Sequence, residues 1–138
     1  MLIYEKSETP YRPTPAYFLG GFDIYDREET LGIELEQYNP ENPKDRTTLI
    51  ENYCLNRYEK LSYRHKFALL KSLEAALLDS KYDFGLLLKD DPEQYSSLPP
   101  GWDEMKSPRG FFEEIFRLAN KHWKEELVQA SLENSADW

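Results

Sequence analysis

Apolar side chains recur at helical spacing in three stretches of the chain, and these stretches supply most of the expected core. In the first, Thr48 and Glu51 have the spacing of a capping box, in which hydroxyl and carboxylate satisfy amides left over at a helix start. Ile50, Tyr53, Cys54, Tyr58 and Leu61 then line one stripe, with Cys54 packed as a small apolar residue. Ser62 caps a second helix, which sets Tyr63, Phe67, Leu70, Leu73 and Leu77 on one face and Arg64, Lys71 and Glu74 elsewhere. Its last turn, Ala75 to Leu78, is apolar on more than one side, which predicts a central helix; His65, near its start, is expected to be exposed. The third helix begins at Ser107-Pro108, where proline's missing amide hydrogen costs nothing. Its stripe runs from Phe112 through Ile115, Ala119 and Trp123 to Ala130, Glu113 and Arg117 are spaced for a surface pair, and residues 132–138 are expected to fray.

The remaining segments are less regular. Residues 82–88 can add a helical turn, and residues 90–100 hold enough breakers to form a loop. That loop ends at Gly101-Trp102, an aromatic that either docks onto the core, the default, or awaits a partner. Pro10, Pro13 and Pro15 make residues 1–15 an extended segment. Alternation over residues 31–36 allows a strand with residues 22–25 as its hairpin mate, yet Leu31, Leu35 and Tyr38 also sit at helical spacing. Asp26, Glu28 and Glu29 suit the positive end of a helix dipole, which favours the helical option for residues 17–38. The expected fold is mainly α, a compact single-domain helical bundle over residues 1–138, with α+β and a small N-terminal hairpin as the alternative.

Composition agrees with a folded domain. At 138 residues, with 40% hydrophobic and 14% aromatic residues, the chain has apolar mass for one core and does not resemble an acidic disordered segment. A single cysteine excludes an internal disulfide, and no run approaches the roughly 20 apolar residues of a membrane span. The first residues lack the pattern of a signal peptide, so the expected location is cytoplasmic.

Charge narrows the partner. With 26 acidic residues against 17 basic ones, the formal charge of -9 opposes binding to nucleic acid and anionic membrane, and steers encounters toward a basic protein. The same charge also serves solubility alone. Acidic residues collect between Asp23 and Glu41 and again between Asp79 and Glu104, on either side of a basic stretch (Arg57, Lys60, Arg64, Lys66, Lys71) that can neutralise one of them internally. Aromatics interleave with the carboxylates, a composition common at tight interfaces. The candidate partner contacts are Asp23, Asp26, Glu28, Glu29, Asp90, Asp91, Glu93, Tyr95, Trp102 and Asp103. The competing reading makes those aromatics core residues and those carboxylates ordinary solvated groups.

Candidate chemistry is sparse. His65 and His122 have no second histidine or cysteine within a turn, so no zinc site is expected, and Asp90, Asp91 and Glu93 lack the glycine and spacing of a calcium loop. Glu104-Met-Lys106 has the Glu-x-Lys pattern of some metal-dependent nucleases, in surroundings that repel phosphate. Cys54 has no adjacent base, no Gly-x-Ser-x-Gly elbow is present, and Gly20-Gly21 is too short to cradle a phosphate and reads as a bend or close contact. No cofactor and no enzymatic activity are expected.

The segment from Ala16 to Asp26, together with residues 98–102 and 107–112, resembles motifs of bacterial contact-dependent growth inhibition immunity proteins, which are small acidic cytoplasmic inhibitors. The resemblance covers a minority of the chain. It implies a mainly helical protein that binds one cognate toxin domain, often a nuclease, and blocks its active site or substrate surface; it transfers no individual binding residue. Beside an immunity-type inhibitor stand a nucleic-acid mimic of the anti-restriction or anti-CRISPR type, which needs a regular line of carboxylates, and a small enzyme using Glu104, Lys106 or Cys54.

Overall fold

Residues 1–90, 93 and 95–138 are described by the computed structural model, and most of them wind into helical turns. A 3-10 helix spans Pro15–Phe22, and a π turn at Glu28–Gly32 runs into α1 (Ile33–Leu35). Helix α2 (Pro43–Leu49) continues as a π-helical stretch, Ile50–Leu55, and a 3-10 turn, Asn56–Tyr58. Then come α3 (Tyr63–Leu78), the short α4 (Phe84–Leu87), a 3-10 turn at Trp102–Glu104, α5 (Pro108–His122), α6 (Lys124–Ser131) and a last 3-10 turn at Ser135–Asp137. Among the described residues there is no strand, and Ile3 and Pro10 form an isolated antiparallel bridge. The chain is a mainly helical bundle, and the alternative hairpin over residues 22–36 falls away.

Local cap chemistry sets the two long helices where the sequence places them. Ser62 Oγ accepts from the His65 amide at 3.2 Å, and Ser107 Oγ accepts from the Gly110 amide at 3.0 Å, with Pro108 in the first turn. The first helix starts earlier than expected. Asn42 Oδ1 accepts from the Lys44 and Asp45 amides and Pro43 opens α2, ahead of the start expected at Thr48. Thr48 lies inside the helix and its hydroxyl donates to the Lys44 carbonyl at 3.2 Å, so no capping box forms there.

Helix α3 is central, packed against α5, α6 and the Pro15–Phe22 turn. Its buried face is Leu69, Leu70, Leu73 and Ala76, whereas Leu78 is exposed. The 3-10 turn crosses the Ile50–Leu55 stretch so closely that a Cβ on Gly21 would lie 1.9 Å from the Tyr53 carbonyl oxygen. At the same crossing the Cys54 thiol donates to the Phe18 carbonyl at 3.2 Å, and burial pushes that thiol far up, against a weaker pull from Arg57.

Both termini differ from expectation. Residues 1–11 fold back on themselves, with the Tyr11 amide donating to the Leu2 carbonyl at 2.9 Å and Tyr4 and Tyr17 joined through their hydroxyls. That turn covers His65, which is buried and not exposed: Nδ1 lies 2.6 Å from Ser62 Oγ and Nε2 2.6 Å from the Ile3 carbonyl. A carbonyl only accepts, so Nε2 carries hydrogen. The hydrogen bond to Tyr4, with burial, pushes Tyr17 up to about 12. Residues 132–138 are held as well. Glu133 accepts from Tyr63 (2.5 Å), Arg64 (2.9 Å) and the Trp138 indole (3.0 Å), and the Trp138 ring meets Phe67 edge-on. The Tyr63 hydroxyl first, and Arg64 after it, hold the Glu133 carboxyl below its ordinary range. On α5 the surface partner of Arg117 is Glu114, gripped through two bonds of 2.9 Å, and not Glu113.

Candidate partner-binding surface

The two acidic regions meet in space. Asp23 Oδ1 accepts from its neighbour, the Tyr25 amide, and from the distant Ser97 amide, each at 3.0 Å, while the Ile24 amide donates to the Ser97 carbonyl at 2.8 Å. Asp90 closes the second loop by accepting from the Leu98 amide at 3.0 Å and the Ser97 hydroxyl at 3.3 Å. Ile24 and Leu98 are buried beneath these bonds, so an apolar pin lies under each polar one. Loops without sheet or helix must find partners for their amides, and here carboxylates and facing carbonyls provide them.

Above this stitch the rings of Tyr25 and Tyr95 meet edge to face at 5.7 Å. Tyr95 is 68% exposed and sits at φ 51°, a left-handed conformation that costs a non-glycine residue roughly 1–2 kcal/mol. Asp26, at φ 59°, turns the first loop outward, and Asp26, Glu28, Glu29 and Glu93 are all exposed. Asp23 and Asp90 therefore build the surface, and Asp26, Glu28, Glu29, Glu93 and Tyr95 face outward from it. Asp103 is exposed on the Trp102–Glu104 turn, and Asp91 lies outside the described residues.

Trp102 docks onto the core, the default expectation, and so leaves the candidate partner contacts. It is 3% exposed and packs against Phe22 at 4.9 Å and Phe111 at 5.6 Å between ring centroids, so no partner can use it as an exposed anchor. Tyr38 and Tyr82 likewise pack on the core. Of the aromatics interleaved with acid, Tyr25 and Tyr95 are the exposed pair.

The basic stretch does not neutralise either acidic region, contrary to expectation. Lys66 reaches Glu126 at 2.7 Å and the Glu59 carbonyl at 2.9 Å, Arg64 pairs with Glu133, Lys71 with Glu74, and Arg57 donates to the Gly20 carbonyl at 3.3 Å. Arg109 donates to the carbonyls of Leu77, Asp79 and Tyr82 behind α3. These cations thus serve helix ends and the C-terminal helices, while Arg27 and Arg46 donate to the Asp23 and Pro40 carbonyls of the first acidic region. Among the described residues, no ion pair reaches Asp26, Glu28, Glu29 or Asp103.

Comparison with family models, with curated proteins and with solved structures finds no match to this chain. No helix among the described residues is long and apolar enough to cross a membrane.

A second polar region escaped the sequence reading. Glu51, Glu59, Lys66, His122 and Glu126 line an open cleft of about 440 Å³, in which His122 pairs with Glu51. Lys66 is 3% exposed at its base, over the Trp123 ring, while Glu126 keeps 38% exposure. This asymmetry has a measurable result. Glu126→Ala is expected to cost about 2–3 kcal/mol in urea unfolding, because it strands a buried ammonium, whereas Lys66→Met should stay within about 1 kcal/mol of wild type. Elsewhere the candidate chemistry disperses: Cys54 and His65 have separate partners, and Glu104 is exposed. Among the described residues, no group of three His, Cys, Asp or Glu is placed to hold a metal ion.

Proposed function

We propose that the protein is a cytoplasmic immunity-type inhibitor that binds a basic protein, a toxin domain, through the face built by the two stitched loops. The observation that carries this reading is an acidic face whose backbone is fixed by Asp23, Ser97 and Asp90 and whose outward carboxylates at residues 26, 28 and 29 lie in no ion pair among the described residues, the intervening Arg27 donating instead to the Asp23 carbonyl. Such a face attracts cationic surfaces over a Debye length, and the exposed Tyr25–Tyr95 pair supplies apolar contact after encounter. The N-terminal segment resembling immunity proteins, residues 16–26, runs from the turn that leads into Asp23 to the outward Asp26. The tyrosine rings interrupt any line of charge, which favours a protein partner over phosphate mimicry.

Affinity capture from the native host's lysate should recover a basic polypeptide. Its association with the triple variant Asp26→Lys, Glu28→Lys, Glu29→Lys should be slower by about 10- to 100-fold at low salt and less sensitive to added salt, with the melting temperature kept. An acidic captured partner, or an association rate indifferent to the triple reversal, would remove this reading.

A further inference from the structure

Past the stitched loops, both chain segments continue into the walls of one open groove of about 340 Å³, within the ~300–1,000 Å³ typical of ligand pockets. Tyr38 and Pro40 form one wall, Pro99 and Pro100 the other, and Trp102 lies at the base. The walls are fixed before any partner arrives. The Lys106 amide donates to Glu41 at 2.8 Å across the two segments, Asp45 accepts from the Asn39 amide at 3.0 Å, and Arg46 grips the Pro40 carbonyl at 2.6 Å. At the lip, Gly101 stands at φ 87° with nothing within 4 Å of where a Cβ would be, so solvent reaches the backbone there.

The chemistry of this groove is one-sided. Three of its wall residues are prolines, which carry no N–H, and the neighbouring Trp102 and Lys106 amides are already bonded to the Pro99 carbonyl and Glu41, as the Pro40 carbonyl is to Arg46. Glu36 and Glu41 border it. Residues 34–46 and 99–106 together carry six acidic side chains against three basic ones, Lys44, Lys106 and the Arg46 that is engaged by the Pro40 carbonyl, and among the described residues none of the six lies in an ion pair. A groove bordered by the Glu36 and Glu41 carboxylates, with aromatic and proline walls, suits a flat cation with many donors.

We infer that this groove is a docking subsite for an extended, arginine-bearing segment of the basic partner, with a guanidinium between Glu36 and Glu41 and its stem against Tyr38 and the prolines. Arginine is favoured over lysine because its planar group stacks on rings while donating at its edge. The inference rests on the reading of the partner as basic, and adds a second contact region to the stitched loops.

The probe is a short fluorescein-labelled peptide alternating arginine and glycine, followed by fluorescence anisotropy, with lysine and citrulline versions beside it. Glu36→Gln with Glu41→Gln keeps acceptors in place while removing charge, and should weaken the arginine peptide by about tenfold or more at an unchanged melting temperature. The loop triple reversal should weaken it less, citrulline should not bind, and lysine should bind more weakly than arginine. Equal binding of the arginine and citrulline peptides, or arginine binding lost in the loop variant and kept in the groove variant, would overturn the groove while leaving the acidic face as partner site. Capture of the native partner unchanged by both variants would overturn both.

Discussion

Gly21→Ala is expected to cost about 3–5 kcal/mol and to lower the melting temperature by roughly 10–20 °C. The added methyl would sit 1.9 Å from the Tyr53 carbonyl oxygen and 2.8 Å from its carbon, and both are backbone atoms that no rotamer change can move aside. Either the Pro15–Phe22 turn or the Ile50–Leu55 stretch has to shift, and both carry fully buried residues, Phe18 and Phe22 in one, Ile50 and Cys54 in the other. Total stabilities of about 5–15 kcal/mol leave little margin for that. Two other glycines calibrate the effect. Gly101→Ala meets no atom but must hold φ 87°, so about 1–2 kcal/mol is expected, and Gly32→Ala, helical and with its nearest contact at 3.6 Å, should be neutral or slightly stabilising. Thermal unfolding of the three variants measures this order. A Gly21→Ala variant melting beside the wild type would mean that the two segments separate freely.

Trp102→Ala is the second large effect, expected at about 3–5 kcal/mol. Its ring fills the space between Phe22 and Phe111 and forms the base of the groove, so truncation leaves a cavity that neighbours fill only in part. An exposed interface anchor would behave in the opposite way, with binding reduced and stability untouched. Urea unfolding separates the two: the midpoint should fall at constant slope, and Trp102→Phe should recover a substantial part of the loss. A wild-type midpoint for Trp102→Ala would return this residue to the list of partner contacts.

What could be read in the sequence was what neighbouring residues decide among themselves. Ser62 and Ser107-Pro108 start helices because each cap bonds an amide three residues away, and both starts hold. Where two local signals competed, the spacing misled. Asn42-Pro43 and Thr48 with Glu51 are both legitimate helix starts, and the helix begins at the first, where Asn42 caps two amides. Arg117 had glutamates three and four residues back, and the three-residue pair forms. The remaining errors are long-range. His65 is buried by Ile3, 62 positions earlier, and Glu51 finds His122 across 71 positions. Asp23 was legible as an acidic residue, but its amide partner at Ser97, 74 positions on, was not, because serine in a proline-rich loop carries no pattern pointing to one carboxylate among many. The acidic residues of the candidate face were therefore identifiable from composition, and the separation of Asp23 and Asp90 as supports from Asp26, Glu28 and Glu29 as outward groups was not.

The support beneath that face is made from main-chain amides and carbonyls, fastened by two aspartates and a serine. Frame and display are thus encoded at different positions, as in a loop-presenting scaffold. Substitutions at 28 or 29 therefore change the charge on display without touching the bonds that hold the frame, whereas Asp26, at φ 59°, also shapes the loop that carries it.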